Sequence, residues 1–210
     1  MSAVPHRSAP DHDAARLVLG SASPRRADLL RQAGFAFVTQ TSSFDESAED
    51  LAGLAVAEQV QRLAEGKAKA LAEQVSHGLI LTADTLVSVA DQPVGKPTDA
   101  ADARCMLERL IGQSHQVFTG VCVIDAAESR EPIAFVDAAT VTIAPLSTEA
   151  LETYIASQAW RGKAGGYNLA ELETRWRFTV EGDPSTVVGL PMQRLTPMLR
   201  QRLSGRQARR

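Results

Sequence analysis

The chain has 210 residues, a formal net charge of −3, 44% hydrophobic residues and 22% charged residues. This length predicts one domain with enough apolar residues to form a core, and the slightly acidic charge argues against a partner that is a nucleic acid. Cys105 and Cys122 form no CxxC pattern and favour a reducing compartment, while no apolar run approaches the ~18 residues of a membrane span. We therefore expect a cytoplasmic protein with no membrane partner.

Differences in composition divide the chain into three segments. Residues 1–15 mix Pro, His, Asp and Ser without an apolar core, which is typical of a disordered lead-in and not of a secretory signal. Residues 16–203 carry the patterns of one folded domain, and residues 204–210 are expected to form a basic disordered tail. From Pro184 onward the chain has six arginines and no acidic residue, so a nucleic-acid-binding surface is a weaker alternative there.

Strands and helices alternate along the first half of the chain. Ser23 is a favoured N-cap and Pro24 a favoured first helical residue, so a helix is predicted to begin here. Gly66 interrupts a second helical pattern and weakens it. In chain order, strands are predicted at 17–19, 35–38, 79–83 and 86–90, and helices at 24–33, 55–75 and, with Asp99 as its N-cap, 99–111.

The residue pattern in the second half of the chain predicts a β-hairpin followed by shorter helices and strands. Apolar and polar residues alternate over 116–124 and 133–143, which is typical of two long paired strands. Ser147 caps a helix over 148–158, residues 160–173 are Gly-rich and irregular, strands are predicted at 177–180 and 186–188, and a last helix is predicted at 191–203. The expected fold class is α/β, with a mixed central sheet and flanking helices.

Two arginines lie in the first turn of the first predicted helix. The partial positive charge of a helix N-terminus disfavours Arg25 and Arg26 at this position. An anion bound by the free N–H groups would reverse that preference, because arginine binds phosphate with two parallel hydrogen bonds. The spacing alone leaves a phosphate site and a solvated basic doublet equally open.

Asp84 comes directly after an apolar run and is expected to close a buried strand. By spacing alone a turn is the favoured interpretation, and a reactive carboxylate is the alternative. Glu46 and Lys96 also lie in loops near strand ends, where α/β proteins bind ligands. Cations together with one or two carboxylates suit a triphosphate with Mg²⁺, and a carboxylate beside that metal can activate water.

Short motifs follow one another in a fixed order from Ser21 to Pro191. The motifs are Ser21-Ala22-Ser23-Pro24-Arg25-Arg26, Phe44-Asp45-Glu46-Ser47, Arg62-Leu63-Ala64 with Lys67-Ala68, Ala83-Asp84-Thr85, Gly95-Lys96-Pro97, Gln113-Ser114-His115 with Phe118-Thr119-Gly120-Val121, Lys163-Ala164-Gly165-Gly166-Tyr167, Glu181-Gly182-Asp183 and Val187-Val188-Gly189-Leu190-Pro191. In this order and at this spacing they resemble the Maf family of nucleoside triphosphate pyrophosphatases, also called Maf-like or septum formation proteins.

The resemblance carries expectations about architecture and activity. It implies an inosine-triphosphatase-like fold of two lobes with a cleft between them, and often a homodimer. It implies hydrolysis of the α–β phosphoanhydride of a nucleoside triphosphate to the monophosphate and pyrophosphate, with Mg²⁺ or Mn²⁺ as cofactor. Removal of unwanted nucleotides and arrest of cell division are the associated cellular roles.

The resemblance also assigns residues. It implies that Asp84 is the general base and that Asp84 and Glu46 hold the metal. The phosphate site would be formed by two groups of side chains: those that bind phosphate directly, Arg25, Lys67 and Lys96, and those that shape the site, Ser21, Ser23 and Arg26.

One segment departs from the commonest family pattern. Members that prefer dTTP and UTP have Tyr-Gly-Ile-Gln-Gly where this chain has Tyr167-Asn168-Leu169-Ala170-Glu171, so the glutamine position is Ala170. Members that act on 7-methyl-GTP carry an acidic residue near here, and Glu171 is one position away from it. Tyr167, Ala170 and Glu171 are therefore the candidates for base specificity, and the preferred base stays open. A nucleotide-binding regulator of division with little turnover is the alternative function.

Overall fold

The computed structural model of the protein describes residues 17–127, 131–169 and 176–207. The expected lead-in, residues 1–15, and the last three residues of the expected tail lie outside these ranges. The strands are β1 Leu17–Leu19, β2 Phe37–Thr39, β3 Leu79–Val89, β4 Gln92–Val94, β5 Ser114–Asp125, β6 Ile133–Ile143 and β7 Phe178–Glu181. The α-helices of the described ranges are α1 Pro24–Gln32, α2 Val56–Ala72, α3 Ala100–Leu110, α4 Thr148–Ala156, α5 Pro184–Val188 and α6 Met192–Gln207, and short 3-10 helices cover Glu46–Ala48 and Ala164–Gly166.

The described strands form one mixed sheet in the order β2-β1-β3-β5-β6-β7, with β4 also paired to β3. The strands β2, β1 and β3 are parallel, whereas β4, β5, β6 and β7 pair antiparallel to their neighbours. Helices flank this sheet, so the expected fold class is confirmed. No helix of the described ranges has both the length and the apolar character needed to cross a bilayer.

The edge of β3 that faces β1 is interrupted in its middle. β1 pairs with β3 only as far as Leu81, and β4 pairs with the same edge only from Val87 onward. Between these points residues 82–86 have no strand neighbour on this edge, while β5 pairs along the whole opposite edge. The gap opens the sheet at the carboxyl end of β1, which is where α/β proteins commonly bind ligands.

The long strands β3, β5 and β6 join two hydrophobic cores. One core contains Leu79 and Leu81 at the start of β3 together with α1 and α6, and the other contains Val87 near its end together with α3 and α4. The interrupted edge of β3 lies between the two cores. The expectation of two lobes separated by a cleft is therefore confirmed.

Alternation along β3 places Asp84 on the same face of the sheet as α2. Leu79, Leu81 and Ala83 pack in the core with α1 and α6, whereas Thr82 donates a hydrogen bond to the Ala64 carbonyl of α2 at 2.7 Å. Because side chains two residues apart share a face of a strand, Asp84 points to α2 as Thr82 does.

The position of Asp84 differs from its expectation. The sequence predicts that it closes a strand, but β3 continues to Val89. The strand continues because β5 pairs with it as far as Ser88 and supplies the hydrogen bonds that β1 no longer provides. Asp84 therefore lies in the middle of an 11-residue strand.

Two elements near the C-terminus also differ from the prediction. Residues 186–188 belong to helix α5 and not to a strand, because Asp183 caps the helix at the Ser185 N–H and Pro184 occupies its first turn. The last helix runs to Gln207, so residues 204–207 are helical although a disordered tail was expected there. Arg206 forms an ion pair with the buried Asp125 at the end of β5, which attaches this turn to the sheet.

Candidate active site

A cleft of about 460 Å³ opens at the interrupted edge of β3. This volume lies in the usual range for small-molecule sites. The structure brings nine sequence-predicted site residues to its lining: Ser21, Ser23, Arg25, Arg26, Glu46, Lys67, Asp84, Lys96 and Tyr167. The remaining two candidates, Ala170 and Glu171, lie outside the described residues.

The N-terminus of α1 forms one wall of the cleft. Ser23 is the N-cap residue and makes no side-chain cap, and the first N–H with a helical partner is that of Ala27, which donates to the Ser23 carbonyl. The N–H groups at the start of the helix are therefore available to an anion. Arg25 lies here without a hydrogen bond or ion pair to any described part of the chain.

Arg26 fastens this wall to the gap in β3. Its guanidinium donates four hydrogen bonds, which leaves one N–H unassigned. They run to the Ala83 carbonyl at 2.8 Å, the Gly189 carbonyl at 2.9 Å, the Thr85 hydroxyl at 3.0 Å and the Ser21 hydroxyl at 3.1 Å. Burial lowers the pKa of Arg26 from its usual value, and nearby Asp84 opposes that effect.

Lys67 joins two carboxylates at the centre of the cleft. Its Nζ lies 2.5 Å from Oδ1 of Asp84 and 2.9 Å from Oε1 of Glu46. The side chains of Lys67 and Asp84 are each 13% exposed, whereas that of Glu46 is 54% exposed. Within the described ranges, the other carboxylate oxygen of Asp84 has no hydrogen-bond partner and is left to interact with a ligand.

Two glycines bring α2 and its neighbours close enough for these contacts. A Cβ on Gly66 would lie 2.4 Å from the ring of Phe44, so its absence lets the segment before Glu46 approach the helix beside Lys67. A Cβ on Gly120 would lie 2.3 Å from the Val60 carbonyl, so α2 also lies unusually close to β5. Gly66 therefore does not end the helix, which continues to Ala72.

The opposite wall of the cleft carries Lys96 and Tyr167. Lys96 is exposed in the loop after β4, and the preceding Gly95 carbonyl accepts a hydrogen bond from the Gly165 N–H at 2.9 Å. The Tyr167 hydroxyl lies 2.6 Å from Nε2 of His115, and burial raises the pKa of Tyr167 and lowers that of His115 to about 4. This wall is therefore held by an uncharged pair in the neutral pH range.

Sequence reasoning missed the contribution of α5 to the site. Val187 and Val188 line the cleft, and a chain of hydrogen bonds links α5 to its floor: Thr85 bonds to Thr119, whose hydroxyl donates to the Thr186 carbonyl at 2.7 Å. A signal for this helix was present in the sequence, because Asp183-Pro184 is a favoured helix start and glycine, here Gly189, is a residue type favoured just after a helix.

The donor set for a divalent metal is small. No group of three or more ligating His, Cys, Asp or Glu side chains exists among the described residues. The carboxylates of Asp84 and Glu46, which both contact Lys67, nevertheless suit Mg²⁺ or Mn²⁺, because such an ion is commonly held by one or two carboxylates together with substrate phosphates. The residues present therefore fit a metal that is bound jointly with a phosphorylated ligand.

An uncapped helix N-terminus, free cations and a paired carboxylate cluster in one cleft define an α/β protein equipped to bind a phosphorylated ligand. The sequence model of the family described as Maf-like protein matches residues 16–202. The chain belongs to this family.

Individual relatives are similar over most of the chain. A dTTP/UTP pyrophosphatase of Desulforamulus reducens is 38% identical over 184 residues, which is 88% of this chain and 95% of the relative. A dTTP/UTP pyrophosphatase of Symbiobacterium thermophilum is 39% identical over 186 residues, with coverages of 89% and 93%. Among solved structures, the Ham1 protein of Staphylococcus aureus overlaps 61% of this chain and 71% of its own, with 14% identity and a TM-score of 0.43.

Proposed function

We propose that the protein is a nucleoside triphosphate pyrophosphatase that hydrolyses the α–β phosphoanhydride and releases pyrophosphate. The observation that carries the proposal is the cluster in which Lys67 contacts both Asp84 and Glu46 at the centre of a cleft that is otherwise rich in cations. Membership of the Maf-like family and two relatives named dTTP/UTP pyrophosphatase support it.

The triphosphate is proposed to lie between the two walls of the cleft. The N–H groups at the start of α1 and the guanidinium of Arg25, which has no partner in the described part of the chain, bind phosphate oxygens from one side. Lys96 binds from the other side as an exposed point charge. Ser21 and Arg26 keep the first wall in place, since their hydrogen bonds are made to the protein.

Asp84 is proposed to accept the proton of the attacking water through the carboxylate oxygen that has no partner within the described ranges. Before nucleotide binds, its other oxygen accepts a hydrogen bond from Lys67 at 2.5 Å. Asp84 and Glu46 would together hold Mg²⁺ or Mn²⁺, which when bound stabilises charge on the phosphates and lowers the pKa of a coordinated water.

The names of the relatives make dTTP and UTP the first substrates to test. Tyr167 lines the wall where a base would lie, and its hydroxyl is already engaged by His115. Ala170 and Glu171 remain proposals for base specificity. The absence of the family glutamine at Ala170 predicts weaker discrimination between bases, because alanine has no amide to hydrogen-bond a base edge.

The test is a panel of nucleotides with Mg²⁺ or Mn²⁺, with products separated and quantified. It includes dTTP, UTP, CTP, the purine triphosphates and 7-methyl-GTP. We expect nucleoside monophosphate and pyrophosphate in equal amounts from at least one member. Release of orthophosphate and a diphosphate would contradict α–β cleavage, and tight binding of nucleotide without any product would support the regulator instead.

A further inference from the structure

The cleft carries a net positive charge before any nucleotide enters. Its described lining has four cationic side chains and two carboxylates, and the carboxylates are Glu46 and Asp84. A free divalent cation entering this cleft is repelled by the net charge, whereas a triphosphate is attracted by it. Binding of the triphosphate before the free metal is therefore favoured over the reverse order.

The ammonium group of Lys67 lies between the two carboxylates, where a divalent metal ion would also bind. Lys67 contacts one oxygen of Asp84 and one of Glu46 at 2.5 and 2.9 Å, so the two carboxylates share one protein cation. Its side chain is 13% exposed, which limits screening of the contacts by water. Lys67 lies on the sheet-facing side of α2, three residues after Ala64 and four before Leu71, both of them buried.

We propose that Lys67 acts as an internal counter-ion that excludes free divalent metal from the Asp84–Glu46 pair, and that it moves to the phosphates when nucleotide binds. This inference rests on the proposed function. The long flexible lysine stem permits a change of partner without movement of the helix. After the exchange every charge has a partner, because the phosphates take the +1 ammonium and the +2 metal takes the two carboxylates. Metal and nucleotide then bind with positive coupling, each improving the site for the other.

The experiment measures Mn²⁺ on the protein by the enhancement of water-proton relaxation. Wild-type protein is titrated with Mn²⁺ alone and then in the presence of a non-hydrolysable α,β-methylene analogue of dTTP. We expect weak binding of Mn²⁺ alone and an apparent affinity at least about tenfold higher with the analogue. Equal affinity in the two titrations would overturn the proposal.

Variants of Lys67 test its charge directly. Lys67→Met retains the length of the side chain and is expected to bind Mn²⁺ alone at least about tenfold more tightly than wild type. Lys67→Arg restores the charge and is expected to behave as wild type does. Lys69→Met is the matched control, because Lys69 is exposed two residues along the same helix.

The outcomes separate this proposal from the proposed function. Pyrophosphate release by the wild type, together with unchanged Mn²⁺ affinity in a folded Lys67→Met protein, would overturn the counter-ion role alone. No pyrophosphate from any nucleotide would overturn the function. If Lys67→Met does not give the circular dichroism spectrum of a folded protein, Lys67→Gln, which also removes the charge, is titrated with Mn²⁺ alone in its place.

Discussion

At one end of the cleft Lys67 contacts two carboxylates, whereas at the other end Tyr167 and His115 share an uncharged hydrogen bond inside the core. The first end is partly open to solvent, with Glu46 54% exposed, and the second is buried, with His115 3% exposed. The charged end is suited to phosphate and metal chemistry. The neutral end supplies a fixed wall whose stability depends on keeping the imidazole uncharged.

The charged end and the neutral end of the cleft are therefore expected to respond to different perturbations. Substitutions at the charged end are expected to change catalysis and ligand binding. Protonation of His115 at the neutral end is expected to lower the free energy of unfolding, because burial disfavours the charged imidazole and so lowers its pKa.

Replacement of Asp84 by asparagine is expected to have the largest effect on catalysis. Removing a general base typically lowers kcat by ~10²–10⁴-fold, and Asn has the same shape without the ability to accept the proton. The measurement is kcat for pyrophosphate release on the best nucleotide of the panel. Asp91→Asn is the matched control, because Asp91 is exposed in the turn between β3 and β4. Full activity in Asp84→Asn would remove Asp84 from the proton chemistry.

Substitution of Arg26 is expected to lower the stability of the protein, whereas substitution of the adjacent Arg25 is expected to weaken nucleotide binding. Arg26→Ala leaves the Ala83 and Gly189 carbonyls without their donors and should lower the free energy of unfolding by about 3 kcal/mol. Arg25→Ala should change it by less than about 0.5 kcal/mol and raise KM. Urea denaturation and steady-state kinetics on both variants check this. Equal destabilisation by the two changes would show that the structural role is not confined to Arg26.

The lowered pKa of His115 predicts that the free energy of unfolding decreases in mild acid. Its pKa is lowered to about 4 in the folded protein from an ordinary value of 6.5, so the unfolded chain binds more protons between these values. Stability is therefore complete above about pH 6.5 and falls as the pH decreases toward 4, by on the order of 3 kcal/mol. The measurement is the free energy of unfolding from urea titrations between pH 4 and 7.

The control for this pH effect is His115→Gln, which keeps a polar group near Tyr167 but does not titrate. Subtracting its pH profile from that of the wild type removes the contribution of the acidic side chains. The difference should follow the window between about pH 4 and 6.5. A flat difference would show that His115 does not couple protonation to folding.

Substitution of Gly66 by alanine tests how closely the Glu46 segment approaches α2. Alanine normally stabilises a helix by about 1 kcal/mol relative to glycine. At Gly66 the added Cβ would meet the ring of Phe44 at 2.4 Å, so we expect no gain in stability and a lower kcat. Gly205→Ala in α6 is the matched control, because a Cβ there has no neighbour within 4 Å. Equal stabilisation by both changes would show that Phe44 moves freely.

Local sequence signals were sufficient for most elements. Asp99 and Ser147 were predicted as N-caps, and each accepts a backbone N–H at the start of its helix. These predictions succeed because a cap depends on residues within one turn. The strand predicted at 186–188 was wrong although its signals were also local: Val187 and Val188 favour strands, and the helix start at Asp183-Pro184 outweighed them.

The site was predictable only as a set of separate residues. Lys67 lies near the middle of the second predicted helix, where a lysine is more often solvated than part of a site. The spacing could not identify Asp84 as its partner, because the two residues are 17 positions apart on different elements. The resemblance to the Maf family supplied the grouping, and the structure supplied the contacts.

What the sequence determined by itself was the kind of chemistry, the order of the motifs and most of the helices and strands, since all of these depend on residue type and short spacing. The resemblance distinguished Arg25 from Arg26, but only the tertiary structure showed how Arg26 fastens the wall, because its contacts reach as far as Gly189, 163 positions away. It also decided that Asp84 lies within a strand and not at its end, because pairing with β5 continues past it to Ser88. Both outcomes depend on long-range pairing, which no local pattern encodes.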